Sequence, residues 1–209
     1  MIIKEHTKDL NGQNYASKSV KIAKKLNYNR VAVIDIETTG IKPLKELILE
    51  IGIAELSLLT GETKILFDSF VKEPKFGEEH RDSWIFNNSD LKFEDIENAP
   101  LFDNLKKSIN EIFNQYPVTA FNKSFDLGFL KAREINIPIE LPCIMLTSTN
   151  ICKIPFPTGG SRYKWPSCQE AWDFFFPDSD YIEKHRAADD AIHEAKILFE
   201  LCRRGQFPI

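Results

Sequence analysis

The chain has 209 residues, 43% of them hydrophobic and 28% charged, with a formal net charge of −4. That is enough for one α/β domain with a sizeable core and the apolar-to-charged balance of a globular protein. The charge does not advertise a nucleic-acid binder, nor exclude one, because acids gathered around a metal hide a local basic patch in the total.

Residues 1–13 read as a leader too polar for a secretory signal, and residues 14–209 as a single domain. From Tyr15 to Leu26, the apolar Ala16, Val20, Ile22, Ala23 and Leu26 alternate with Lys18, Lys21, Lys24 and Lys25. This predicts a basic amphipathic helix, either packed with a solvated face or lending positive charge to a phosphate-bearing ligand. Residues 30–40 follow, where the apolar run Val31, Ala32, Val33, Ile34, Ile36 predicts a buried strand. Asp35 and Glu37 interrupt it. Alternation along a strand turns both carboxylates to one side. Two like charges roughly 4 Å apart repel by about 4 kcal/mol at an effective dielectric of about 20. A proton or a cation must relieve that, so the pair points to a metal. After a loop at 38–46, the apolar stretch Leu47–Leu59, the Thr60-Gly61 turn and Lys64–Val71 predict a hairpin and hence a mixed sheet. Residues 72–90 read as loop, Ser89–Ala99 as a short helix, and Pro100 as the opening of another that runs to Gln115. Leu101, Leu105, Ile109, Ile112 and Phe113 point inward there, and Pro117–Phe121 forms a short strand.

Ser124 is the expected N-cap of a helix carrying Phe125, Phe129 and Leu130, with Asp126 in a first turn whose dipole favours an acid. Residues 138–166 read as irregular, with prolines at 138, 142, 155 and 157 and a Gly159-Gly160 pair that lacks phosphate-loop spacing. Arg162, Tyr163, Lys164 and Trp165 either pack on the domain or stack on and neutralise a single strand. Ser167–Glu170 fits a capping box opening a helix through Phe176, with its triple Phe in the core. His185-Arg-Ala-Ala-Asp189-Asp190 leads into a terminal helix with Ile192, Ala195, Leu198 and Leu201 inward. His185 and Asp190 would stand about 140° apart on a wheel, so the histidine precedes the helix. Cys143, Cys152, Cys168 and Cys202 include no close pair and no zinc spacing, and read as free thiols of a reducing compartment. No apolar stretch approaches the ~20 residues of a membrane span, so the expected location is cytoplasmic.

Asp35-x-Glu37, Asn122-x3-Asp126 and His185-x4-Asp190 together resemble the three motifs of the DEDDh exonucleases. That family includes the epsilon proofreading subunit of replicative polymerases, oligoribonuclease and ribonuclease T. Leu49-Glu-Ile-Gly-Ile and Thr60-Gly61 echo it outside the motifs. The resemblance implies an α/β, ribonuclease H-like fold: a five-stranded mixed sheet flanked by helices. It implies a 3′→5′ exonuclease releasing nucleoside 5′-monophosphates from DNA or RNA. Asp35, Glu37, Asp126 and Asp190 would surround two Mg²⁺ (or Mn²⁺) ions, with His185 as general base. Asp190 is preferred to Asp189 on motif spacing alone. Thr38, Thr39 and Gly40 would lie against the terminal nucleotide, and Asn122 beside the site. Two divalent ions about 3.5–4 Å apart can serve the attacking and leaving oxygens of a phosphodiester, and such hard ions choose carboxylates. Histidine, which titrates near neutral pH, suits the proton transfer. The expected partner is a single-stranded or 3′-ended nucleic acid, with a polymerase or a second copy of the chain as further candidates and no membrane. The alternative reading is a non-catalytic nucleic-acid-binding or scaffold module on the same fold. The presence of all five motif residues argues against it.

Overall fold

The computed structural model describes residues 15–208; the leader expected at residues 1–13 lies outside the described residues. Helix α1 (Tyr15–Leu26) is followed by strands β1 (Arg30–Thr38), β2 (Ile48–Ser57) and β3 (Thr63–Phe70). Two short helices, α2 (Trp84–Asn88) and α3 (Phe93–Glu97), then lead to α4 (Phe102–Gln115), β4 (Val118–Thr119) and α5 (Lys123–Lys131). The chain closes with α6 (Ile144–Cys152), α7 (Cys168–Phe175) and α8 (Ala187–Arg203).

The strands lie in the order β3-β2-β1-β4, antiparallel within the hairpins and parallel between β1 and β4. The sheet is mixed, as expected, but has four strands rather than five. Where a fifth would run, residues beyond Ile139 make a single parallel bridge from Glu140 to Val118. Pro138 and Pro142 flank that stretch, and neither can donate to a ladder. Helices cover both faces, which is why β1 reads as a continuous apolar run rather than as an alternation. Val31 and Val33 join Ala54 and Leu56 in a core with α6, α7 and α8. Ala32, Ile34 and Ile36 pack the opposite way, with Phe102, Ile109, Phe113 and Leu127 of α4 and α5.

Several local expectations are corrected. Residues 84–88, expected as loop, form α2, anchored by the buried Ile85. The helix expected over Ser89–Ala99 shrinks to α3, since Ser89 instead closes α2 by donating to the Ile85 carbonyl (2.9 Å). Residues 138–166 are not irregular throughout. Their prolines frame α6 rather than break it, for Pro142 precedes its N-cap and Pro155 follows its end. Asn122, not Ser124, stands at the N-cap of α5, and the Ser124 hydroxyl donates to Asn122 Oδ1 (3.2 Å). Of the triple Phe, Phe175 is buried, Phe176 partly so, and Phe174 exposed. Phe174 and Phe175 stand about 100° apart on the helix and Phe176 is its C-cap in non-helical backbone (φ −133°), so one core cannot take all three alike. The capping box at Ser167 and Glu170 forms as predicted.

Gly52 of β2 is the point where α8 meets the sheet. A Cβ there would overlap the backbone of Ala187 and Ala188, which cannot swing aside as a side chain would. Gly52→Ala must push the head of α8 outward. The expected cost is about 3 kcal/mol or more, a fall in Tm of roughly 6–12 °C by thermal melting. Gly128, inside α5, is the control: its Cβ would meet only Pro43 Cγ at 3.6 Å. Gly128→Ala should raise Tm, because a helical glycine is about 0.5–1 kcal/mol worse than alanine.

Candidate active site

β1 delivers the first two acids. Asp35 lies opposite Gly52 in the β1–β2 register, and Glu37 opposite Glu50. Antiparallel partners share a face, so Glu50 and the Gly52 notch stand beside these carboxylates, on the side α8 occupies. Glu50 is buried, and it accepts from Arg186 Nε (3.1 Å to each oxygen), Arg186 Nη2 (2.8 Å) and the Ala187 amide (3.2 Å). It thereby satisfies an orphan N–H at the head of α8 and pins that helix to the strand.

The pinned end carries the third motif. His185 precedes the helix, in left-handed backbone (φ 54°). Its ring meets Trp84 of α2 edge-on, with centroids 4.9 Å apart. Asp190 accepts from the Arg186 amide (2.9 Å) and from Tyr181 Oη (2.6 Å). Donor atoms of Glu37, His185 and Asp190 lie within 4.8 Å of one another. Asp189 is drawn elsewhere, to Lys184 Nζ (3.1 Å) and His193 Nδ1 (3.4 Å).

Asp126 enters from the first turn of α5 and is 2% exposed. Burial raises its carboxyl to about 8, against the pull of its own amide and that of Ile36. Asp35 is raised well above the usual carboxylate range, by burial first and then by repulsion from Glu194, Glu37, Asp126 and Asp190. Glu37 is raised by burial, then by Asp190, Glu50, Asp126 and Glu183. Carboxylates from β1, α5 and α8 thus face one another with no cationic side chain among these influences. Such a set either keeps protons or takes up cations. Its hard oxygen donors with one imidazole fit Mg²⁺ or Mn²⁺ better than a soft metal.

Of the expected nucleotide contacts, Thr38 Oγ1 donates to the Gly40 carbonyl (2.7 Å). Thr39 Oγ1 donates to Glu46 (3.0 Å) and accepts from the Leu47 amide (2.9 Å). These two hydroxyls close the loop after β1, and Gly40 packs against Glu46. Asn122 caps α5 one turn ahead of Asp126. Three residues lie outside the sequence reading, and a fourth, Glu50, entered it only inside the Leu49-Glu-Ile-Gly-Ile echo. Glu194 is buried, accepts from the Phe121 amide (3.1 Å), and is pushed up by burial and then by Asp126. Glu183 is raised by burial and then by Asp190. Tyr181 and Glu50 anchor Asp190 and α8. Only two left a signal: Glu194 stands one turn after Asp190, hence on its face, and Glu50 is an acid inside an apolar strand, as Asp35 is.

Residues 32–198 match the RNase_T family, described as Exonuclease. The 3′-5′ exonuclease DinG of Bacillus subtilis (strain 168) is 26% identical over 181 residues, 86% of this chain and 18% of that protein. A PolC-type DNA polymerase III of Caldanaerobacter subterraneus subsp. tengcongensis is 24% identical over 176 residues, 83% of this chain and 12% of that one. The chain therefore spans less than a fifth of the length of these curated relatives. Among solved structures, the nuclease domain of 3′hExo, a DEDDh family member bound to rAMP, has a TM-score of 0.61 at 16% identity, covering 85% of this chain and 94% of its own. The Mg²⁺- and Mn²⁺-bound form of S. pombe Pop2p has a TM-score of 0.52 at 15% identity, covering 90% and 88%. These likenesses show a ribonuclease H-like exonuclease fold, and the match across residues 32–198 shows that the chain belongs to the RNase_T exonuclease family.

Proposed function

We propose that the chain is a metal-dependent 3′→5′ exonuclease that hydrolyses the terminal phosphodiester of DNA or RNA and releases nucleoside 5′-monophosphates. The observation that carries this reading is the convergence of Glu37, His185 and Asp190 on one small volume, beside the mutually repelling Asp35 and Asp126. Asp35, Glu37, Asp126 and Asp190 would hold two Mg²⁺ or Mn²⁺ ions. Bound there, the ions would supply charge for the attacking and leaving oxygens of the phosphodiester. His185 takes the proton from the attacking water as the P–O3′ bond breaks and returns it to the leaving O3′, and its approach is set by the Trp84 edge and the Glu50–Arg186 clamp. Tyr181 holds one Asp190 oxygen so that the carboxylate keeps its aim. The loop closed by Thr38 and Thr39, with Gly40 at its bend, would lie against the terminal nucleotide, and Asn122 beside it. Four buried, unpaired cysteines support a reducing, cytoplasmic setting. Among the described residues no helix is long and apolar enough to cross a membrane.

Incubation with EDTA should abolish mononucleotide release from a labelled strand, and Mn²⁺ should restore it; release that persists under chelation would refute the metal mechanism. His185→Ala should lower kcat by about 10²–10⁴. Asp190→Asn should cost a comparable factor and Asp189→Asn only a few-fold. The reverse pattern in steady-state kinetics would move the metal ligand to Asp189.

A pH dependence follows from Asp126. Its folded value of about 8 lies above its usual 3.8, so the folded state holds a proton that the unfolded chain gives up more easily. That stability is present below about pH 4 and is lost as pH rises towards 8. The metal-free protein should therefore melt at lower temperature as pH climbs from about 5.5 to 8. Asp126→Asn should lessen the trend, leaving the part due to the raised Asp35, Glu37, Glu183 and Glu194, while His193, whose lowered value is due to burial, acts in the opposite direction. A metal-free Tm as pH-dependent in Asp126→Asn as in the parent would show that Asp126 does not hold the proton.

A further inference from the structure

Between α6 and α7 the chain leaves the domain and returns as a small antiparallel excursion. Pro155 pairs with Tyr163, and the Lys164 amide donates to the Ile154 carbonyl (2.9 Å). Its tip turns through Pro157, where the Gly159 amide donates to the Phe156 carbonyl (2.9 Å). Gly159 and Gly160 then take φ of 77° and 120°. Three of the five exposed large aromatic side chains among the described residues sit here: Phe156 (43% exposed), Tyr163 (39%) and Trp165 (64%). A hairpin meant only to pack would bury them. Lys164 turns inward to Glu170 (Nζ–Oε1 2.7 Å), while its neighbours Tyr163 and Trp165 stay outside. Lys153 and Arg162 are exposed with no ion-pair partner among the described residues. From Leu141 to Gln169 the sequence contains no acid, in a chain of net charge −4.

One side of the excursion reaches the candidate active site through the length of α6, and the other side reaches it directly. On the first side, at the end of α6 away from the excursion, the amide of Met145 donates to the Phe121 carbonyl (2.9 Å), next to Asn122. On the other, Gln169 of α7 donates to the Tyr181 carbonyl (3.0 Å) and accepts from the Glu183 amide (2.7 Å). Tyr181 in turn holds Asp190.

We propose that the 153–165 excursion is a platform for single-stranded nucleic acid, with Phe156, Tyr163 and Trp165 stacking on bases and Lys153 and Arg162 on the phosphates between them. It holds the strand upstream of the end being cut. Aromatic faces beside unpaired cations are the chemistry that single strands select, and stacking on them is indifferent to sequence. The inference rests on the exonuclease reading for its choice of ligand.

The test separates the two. Anisotropy of a 5′-labelled oligothymidine of about 20 nucleotides, long enough to reach past one binding site, is measured in EDTA, where no turnover occurs. Phe156→Ala/Tyr163→Ala/Trp165→Ala should weaken binding at least about tenfold. Lys153→Ala/Arg162→Ala should reduce the slope of log Kd against log salt by about 1.4, two single-strand phosphate contacts. Circular dichroism melting checks each variant, and Trp165→Ala alone serves if the triple change unfolds the chain. Parent protein that fails to bind the oligothymidine both in EDTA and in Mg²⁺ with His185→Ala to slow turnover, or variants that bind it equally tightly, would overturn the platform. Parent protein that binds but releases no mononucleotide in Mg²⁺ would sink the exonuclease reading and leave the platform standing.

Discussion

Gly52 of β2 and the Ala187 carbonyl at the head of α8 lie so close that no side chain fits between them, and this contact sets where Asp190 and His185 stand. Asp35 faces the same glycine across the β1–β2 ladder. One missing Cβ thus brings the last motif down onto the first. Two residues along β2, Glu50 fastens the same helix end through Arg186 and the Ala187 amide. The Arg186 guanidinium also lies 5.4 Å from the Phe70 ring, a second hold from β3. Steric permission and an ion pair act on adjacent turns of a single joint. Because the joint is backbone against backbone, it leaves His185 and Asp190 little room to drift.

What that closeness creates is unfavourable by itself. Asp35, Glu37, Asp126 and Glu194 are each raised by burial before any neighbour is considered. A folded chain that gathers such groups gives up stability at the site and regains it elsewhere. The regain is visible in two continuous cores, one on each sheet face, in which β1 alternates Val31 and Val33 with Ala32, Ile34 and Ile36. The acids occupy the end of β1 on either side of Ile36, the strand's last core residue, just before the ladder is disturbed between Glu37 and Thr38. The core carries the strand that far and the site begins where it stops.

How much of this could be read from residues alone follows the same physics. β1, the hairpin and α8 were legible because their apolar patterns are long and both faces are buried. Asp35 and Glu37 stood out because an acid in such a run has no packing role. Helix α6 was not legible, since prolines at 142 and 155 look like breakers when only their number is seen; their positions, just outside each end, make them boundaries. A fifth strand reduced to the single Glu140 bridge has no pattern to find. Tyr181 and Glu183 gave no sign, because a loop residue's contact with Asp190 depends on how the chain between α7 and α8 returns. Glu194 is within reach of a helical wheel, one turn after Asp190, but on composition alone it looks like one more polar position.

The distribution of charge poses a last constraint. A polyanionic strand approaching Asp35, Glu37, Asp126 and Asp190 meets like charge, and low dielectric around the buried acids strengthens that repulsion. On the exonuclease reading, cations in the site must therefore favour the strand, and by reciprocity the strand must favour the cations. A pocket built this way keeps its acids partly protonated when empty. On that reading it would be completed when ions and nucleic acid arrive together. On the same reading, the acid-free residues 141–169, which return to the cluster at Gln169, would offer Lys153 and Arg162 to an incoming strand.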